Sequence, residues 1–246
     1  MEEKNKLKSL ILKSAYVIVI VLIMAVVALL ILKYNVEGEK NMPFKLSSII
    51  VASTAEGIQT ENDEYKWDAE IYQNNDIYIN IEKNKNYKET EIIKSVIIDN
   101  IQVNKEPQVG KIFLYRAKAE ENNLFSNNDE FLINDKVEYI GDVNSDLKNL
   151  KISNQGGTLI LRVINKTGKR YVSNEDEFSH DGKLLSKVNI NYKQIQSVIS
   201  FDLTISLESG IIFKANVKLE LPVGDITTDG SASLENSGKD IVFKRE

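Results

Sequence analysis

The chain reads as a mainly β protein: an N-terminal transmembrane helix followed by an antiparallel β-sandwich of jelly-roll or Ig-like type. Three observations predict it. The eighteen residues from Ala15 to Leu32 carry no charge, no glycine and no proline. From Phe44 onward, apolar residues recur with period two rather than 3.6. Between those runs Asn, Asp, Gly and Pro cluster at short intervals, as turns between strands require, and helical periodicity is nearly absent.

The apolar stretch comes first. At ~1.5 Å per residue it spans roughly 27 Å, close to the ~30 Å hydrocarbon core of a bilayer. Lys4, Lys6, Lys8 and Lys13 precede it, whereas Lys33 and Lys40 follow it alongside Glu37 and Glu39. The positive-inside rule therefore places the N-terminus in the cytoplasm and the rest of the chain outside. Tyr16 and Tyr34 stand at its two ends, where amphipathic rings anchor at the interfaces. A cleaved signal peptide has an apolar core of ~7 to 15 residues that ends at a small-x-small site. Here the one candidate, Val26-Val27-Ala28, lies inside the run. The expected organisation is a cytoplasmic tail (1–14), a signal-anchor helix in contact with membrane lipid (15–32), a juxtamembrane linker (33–43) and an extracytoplasmic domain (44–246) of a single-pass cell-membrane protein. Eleven linker residues reach at most ~35 to 40 Å, which keeps the domain near the bilayer.

Charge and cysteine usage narrow the function classes. The 246 residues carry a formal net charge of −5. The first 40 hold six of the 31 basic and four of the 36 acidic residues, leaving 25 against 32, or −7, for the remainder. An acidic exported domain is soluble and repels nucleic acid. Cysteine is absent, which removes disulfides, thiolate zinc sites and Cys nucleophiles together and leaves the apolar core to hold the domain. Asn165-Lys166-Thr167 matches a glycosylation sequon in form only.

The strand pattern runs through the chain in order. Ile71 closes one run, Gln73 to Asp76 reads as a turn, and Ile77, Ile79 and Ile81 then alternate with polar residues, so a hairpin is expected here. Val96 and Ile98 give way to Ile101 and Val103, a change of phase that predicts a bulge at Asp99-Asn100. Pro107 ends that strand, and Lys111 to Arg116, apolar on both faces, reads as a central strand. Ala117 to Phe131 has a short helical or irregular character. Short strands are expected at 136–140 and 149–153. Thr158 to Ile164 forms another strand, closed at Asn165 to Gly168. Ser173 to Gly182 reads as a polar loop, with Asp181 capping a helical turn around Leu184, Leu185 and Val188. The clearest element is the pair Ile199 to Leu207 and Ile211 to Leu221 about Ser209-Gly210, an antiparallel hairpin with one solvated face. Pro222 stops it, and Ile241 to Phe243 forms a terminal edge strand.

Candidate chemistry is sparse. His180 is the single histidine, without a serine elbow to serve, and reads as a loop residue. Ser145-x-x-Lys148 and Lys166-Thr167-Gly168 match penicillin-recognising motifs, but lack the helical domain that fold places between them. Asp142 to Asp146 begins like a calcium loop, yet Leu147 stands where Gly is needed and Ser153 where Glu is needed. A looser acidic set, Asp142, Asp146, Asn174, Glu175, Asp176 and Glu177, reads as a solvated loop. Leu221-Pro222-Val223-Gly224-Asp225 has Gly224 where a sortase signal requires Thr. No metal or cofactor site, and no catalytic residue, is expected. The candidate ligand face consists of Tyr65, Trp67, Tyr72 and Tyr78, whose rings can stack on sugars, together with Arg162, which interrupts an apolar strand. Pairing with a carboxylate on a neighbouring strand is the favoured reading of Arg162.

The stretches Tyr34 to Leu46, Ile152 to Gly157 and His180 to Leu185 resemble single-span membrane proteins of low-GC Gram-positive bacteria. The resemblance covers most of the chain, and it implies neither an activity nor any functional residue. The expected role is non-enzymatic: a membrane-proximal module that binds another membrane or cell-surface protein in an interaction or assembly. The alternative is a cell-wall or glycan-binding module acting through the Trp67 region.

Overall fold

The computed structural model describes residues 2–60, 65–120, 123–125, 136–147, 149–175 and 181–246. They form two compact units, residues 1–40 and 41–246. The first is a single helix, α1 (Glu2–Glu37), which over Lys13–Glu37 is long and apolar enough to cross a membrane and is nowhere buried against protein. Residues 33–37, expected in the linker, continue the helix. It stops at Gly38, whose left-handed backbone (φ 67°) lets its N–H bond back to the Tyr34 carbonyl at 2.8 Å. Glycine adopts that conformation without the Cβ clash other residues meet.

The described residues of the second unit form a β-sandwich of twelve strands. These are β1 (Phe44–Gln59), β2 (Trp67–Lys83), β3 (Ile93–Lys105), β4 (Lys111–Glu120), β5 (Asn123–Phe125), β6 (Val137–Asp142), β7 (Lys151–Ser153), β8 (Gly156–Ser173), β9 (Ser197–Leu207), β10 (Ile212–Leu221), β11 (Ser231–Ser237) and β12 (Lys244–Arg245). One sheet has the order β11-β1-β2-β8-β4-β5, the other β12-β10-β9-β3-β6-β7. Every pairing is antiparallel except β6 with β7. Three single-turn helices, α2 (Leu184–Lys187), α3 (Tyr192–Ile195) and α4 (Ile226–Asp229), lie in the connections around β9 and β10.

Alternation places the inner residues of both sheets in one core. Ile49 and Val51 of β1, Ile77 and Ile79 of β2 and Leu159 and Leu161 of β8 meet Val96 and Ile98 of β3, Phe201 and Leu203 of β9 and Val217 of β10. Burying each such side chain contributes about 1.5 to 3 kcal/mol. A smaller apolar cluster gathers Ile71, Leu185, Ile190, Ile195 and Ile226. Between the two lies a row of buried polar side chains. Ser53 donates to Asn75 (2.7 Å), Asn75 to the Val163 carbonyl (3.1 Å), and Asn165 to Gln73 (3.2 Å) and the Val109 carbonyl (3.0 Å).

That row explains two departures from the sequence reading. Gln73 to Asp76 is not a turn, because β2 runs unbroken through it: the amides of Gln73 and Asn75 bond within the interior, and Asp76 pairs across to β8. Asn165 to Gly168 does not end its strand either. It forms a wide bulge, where the register of β8 against β2 moves from Tyr72↔Lys166 to Glu70↔Arg170. Asn165 is wholly buried, so the sequon is inaccessible to glycosylation. Residues 117–120 and 123–125, expected to be irregular or helical, are strand. Asp181 accepts from the Lys183 N–H (3.0 Å), one residue short of the helix it was expected to cap. The terminal strand lies at 244–245 rather than 241–243, and β11 carries no alternation by which the sequence could announce it. The bulge expected at Asp99-Asn100 is present as a slip between β3 and β9, with Asn100 at φ 49°. The β9–β10 hairpin turns at Gly210 as expected.

Tyr139 of β6 closes a gap in the first sheet. The pairing of β4 with β8 stops at Arg116↔Leu161, so that among the described residues Ile160 has no strand neighbour on that side. The buried Tyr139 hydroxyl donates to the Ile160 carbonyl (3.0 Å) and accepts from the Ile160 N–H (3.2 Å). One side chain thus does the hydrogen bonding of a missing strand.

Candidate functional site

Period two sorts the five candidate residues before any contact is considered. Along β2 the odd positions 67, 69 and 71 share the face of the core, and the even positions 72, 76 and 78 share the outer face. Trp67 is thereby separated from Tyr72 and Tyr78.

On the outer face, Arg162 lies directly opposite Asp76 in register and grips it with two hydrogen bonds, Nε to Oδ1 at 2.5 Å and Nη2 to Oδ2 at 2.7 Å. Burial alone would lower the pKa of Arg162, but its bonds to Asp76 more than offset this and keep it charged. Tyr78 packs beside Ile160, and its own pKa is raised by burial and then by the charge of Asp76. The Tyr72 hydroxyl donates to Glu70, and the ring borders a hollow of about 340 Å³ with Lys111, Phe113 and Lys166. Tyr65 precedes β2 and is half-buried.

Trp67 lies elsewhere, in a cleft of about 840 Å³. Its indole N–H donates to the Glu175 carbonyl (3.0 Å), which fixes the plane of the ring. Tyr171 of β8, opposite Ala69, supplies a second aromatic wall, and Leu184 at the start of α2 an aliphatic one. Gly57 comes from the end of β1, whereas its neighbour Glu56, opposite Tyr72, turns its carboxylate to the outer face, where it acts on Arg162. The remaining wall is built from two Asp-Gly turns, Asp181-Gly182 and Asp229-Gly230. Both glycines have left-handed backbones (φ 74° and 71°), and they touch: a Cβ on Gly230 would stand 2.7 Å from the Gly182 Cα. Asp181 and Asp229 are therefore carried on adjoining turns.

Asp181 and Asp229 are the acidic residues of that wall, and Lys187 stands at its margin. The Lys183 N–H and then the Lys187 ammonium, 3.2 Å away, hold the Asp181 carboxyl below its ordinary pKa. The Lys187 ammonium also stands 5.9 Å from the centroid of the Tyr171 ring. A space of this volume, with aromatic walls and a few converging polar groups, suits a small or extended ligand.

The sequence reading found Trp67 and missed its neighbours. Tyr171 stands about a hundred positions further on, and no local pattern links the two. The repeated Asp-Gly dipeptide was the available signal for the other wall. The acidic positions read as a calcium-like set are used otherwise: Asp142 pairs with Lys151 (2.8 Å) and Asp146 accepts from Asn149 (2.5 Å). Asp176, Glu177, His180 and Lys148 lie outside the described residues. Among the described residues, no three His, Cys, Asp or Glu side chains gather in a way that could hold a metal ion. Comparison with protein-family models, with curated proteins and with solved structures returns no match for this chain.

Proposed function

We propose that this is a single-pass cell-membrane protein, N-terminus cytoplasmic, whose extracytoplasmic sandwich binds a surface glycan in the Trp67 cleft. The observation that carries the glycan reading is the pairing of two aromatic walls, Trp67 and Tyr171, with the acidic turns of Asp181 and Asp229 around a space of about 840 Å³. Sugar rings present apolar C–H faces that stack on aromatic rings, and hydroxyls that donate to carboxylates. The orientation rests on the lysines before the helix. The chain from Gly38 to Phe44 is too short to carry the domain far from the bilayer.

Two experiments test this. The full-length chain in nanodiscs should bind cell-wall oligosaccharides by calorimetry, and Trp67→Ala should abolish the binding while Arg162→Met, on the outer face, leaves it intact. Absence of binding across a broad glycan panel refutes the reading. Protease added to intact, wall-stripped cells should degrade the sandwich, and full protection would overturn the orientation.

One observation favours the protein-partner reading. The edge strand β11 is exposed at every residue but Ala232 and, among the described residues, is paired only with β1. An edge of this kind can take an added strand from a partner protein. In-cell crosslinking from positions 231–237 should then recover one reproducible partner.

A further inference from the structure

We infer that the hollow on the outer face of the first sheet, bordered by Tyr72, Phe113 and two lysines, binds the phosphate group of a small anionic ligand. It is a second site, separated from the Trp67 cleft by strand alternation, and it does not depend on the glycan reading. Its geometry starts from the register. Lys166 of β8 lies opposite Tyr72 of β2 on one side and Lys111 of β4 on the other. Their neighbours along the strands, Ile112 and Asn165, are buried, so both lysines stand on the outer face. Like charges directly opposite on a sheet destabilise it. Here an aromatic ring gathers them: the Lys166 ammonium stands 4.9 Å, and the Lys111 ammonium 5.7 Å, from the centroid of Phe113. A ring attracts an ammonium without cancelling its charge, and leaves it donors for a ligand.

Elsewhere on the sandwich lysines meet carboxylates, as Lys151 meets Asp142 at 2.8 Å and Lys214 meets Asp202 at 3.2 Å. The described lining of the hollow is weighted towards cations. Lys111, Lys166 and Lys169 stand against Glu70, which accepts from the Tyr72 hydroxyl and lies opposite Arg170. Arg170 in turn bonds Asp68 through Nε at 2.9 Å. In a region whose net charge is −7, such a local excess comes from placement and not from composition. The bulge in β8 makes it, because the pairing moves from Tyr72↔Lys166 to Glu70↔Arg170 and brings extra residues of β8, Lys169 among them, to the hollow. The buried Thr167 hydroxyl fastens that bulge: it donates to the Ile71 carbonyl (2.6 Å) and accepts from the Lys169 N–H (3.2 Å). The backbone that carries the cations is therefore set before a ligand arrives. The space, about 340 Å³, suits one phosphate with a short substituent. A phosphate monoester carries roughly −1.5 to −2 charges at neutral pH, which matches two ammoniums.

The test uses the full-length chain in nanodiscs of neutral lipid at constant ionic strength. Three probes share the phosphate and differ in what carries it: inorganic phosphate, glycerol phosphate and short-chain phosphatidic acid. Calorimetry should show binding, and the tightest of the three names the source. Affinity for glycerol phosphate should rise as pH passes about 6, where the monoester gains its second charge. Lys111→Gln combined with Lys166→Gln should weaken binding about tenfold or more. Without phosphate the same double variant should melt no lower than the native chain, because it relieves a like-charge pair. Phe113→Leu, which keeps both charges and removes the ring that gathers them, should weaken binding about threefold. Trp67→Ala should leave it unchanged. Binding of none of the three probes overturns the site, as does binding that survives the double lysine variant. An equal response to sodium chloride overturns it too, since that would be charge screening alone. A lower melting temperature of the double variant would contradict the opposed lysines on which the site rests.

Discussion

Removing one oxygen atom, by Tyr139→Phe, tests whether the β8 edge is closed as described. The hydroxyl is the hydrogen-bond partner on that side for both the N–H and the C=O of Ile160, a residue with no accessible surface. Phe fills nearly the same volume, so the change adds almost no cavity and isolates the polar effect. Leaving a buried backbone donor or acceptor unsatisfied costs ~1 to 3 kcal/mol, and two such groups are affected. The expected loss is about 2 to 4 kcal/mol, a large part of the stability of an ordinary domain. Trp67 is the single tryptophan and lies in the sandwich, so a urea titration followed by its fluorescence reports the unfolding of this unit. The midpoint should fall while the slope stays constant. An alkaline arm gives an independent check. Burial pushes the Tyr139 phenol up to about 12, against about 10 for the unfolded chain, and this outweighs the opposing bond from Ile160. Because the folded value lies above the unfolded one, the unfolded state releases its proton first. Stability is therefore intact below pH 10 and declines as pH rises toward 12. Tyr139→Phe should lose that extra decline. A loss under about 0.5 kcal/mol at neutral pH, with an unchanged alkaline arm, would show that Ile160 does not depend on this hydroxyl.

Three further outcomes are expected. A double-mutant cycle on Asp76→Ala and Arg162→Ala should give a coupling of about 1 to 2 kcal/mol, since the pair is bidentate and both side chains are largely buried; a coupling near zero in urea titrations would mean that the pair is not formed. Gly141→Ala should cost at least the ~3 kcal/mol at the top of the overpacking range, because its Cβ would lie 1.9 Å from the Ile93 carbonyl oxygen, which is backbone and cannot swing away; an unchanged melting temperature would contradict the close β3–β6 approach. Burial would raise the Asp202 carboxyl, but Asn100, Asn216 and Lys214 outweigh it and hold the group below its ordinary pKa. With the folded value depressed, its contribution is present above about pH 4 and is lost as pH falls. The stability gap between the native chain and Asp202→Asn, followed by urea titration from neutral to acid pH, should therefore close on acidification.

The legible parts of this chain are those in which one property repeats along a short stretch. The apolar run of α1 and the strict alternation of β9 and β10 are of that kind: one is long and apolar enough to cross a bilayer, the other has the period of a half-buried sheet. The phase change at Asp99-Asn100 was legible for the same reason, because a one-residue slip inverts the face of everything after it. Reading failed where polar residues sit inside an element. Gln73, Asn75 and Asn165 look like turn formers locally, and only their partners on β1, β2 and β8 make them tolerable in a strand interior. Those partners are 22 to 92 residues away. A pairing at that distance leaves no trace in a window of ten.

The cleft follows the same logic one level higher. Proximity along the chain grouped Trp67 with Tyr65, Tyr72 and Tyr78, yet strand alternation puts Tyr72 and Tyr78 on the opposite face, and that much follows from counting. What counting cannot supply is the register that sets Tyr171 opposite Ala69, or the backbone contact that joins the Asp181 and Asp229 turns. These two facts convert one aromatic residue into a walled cleft. The cleft is therefore set by tertiary placement of common residues rather than by any motif. The test of such a site is whether Tyr171→Ala, a change at a residue that no motif marks, weakens binding as Trp67→Ala does.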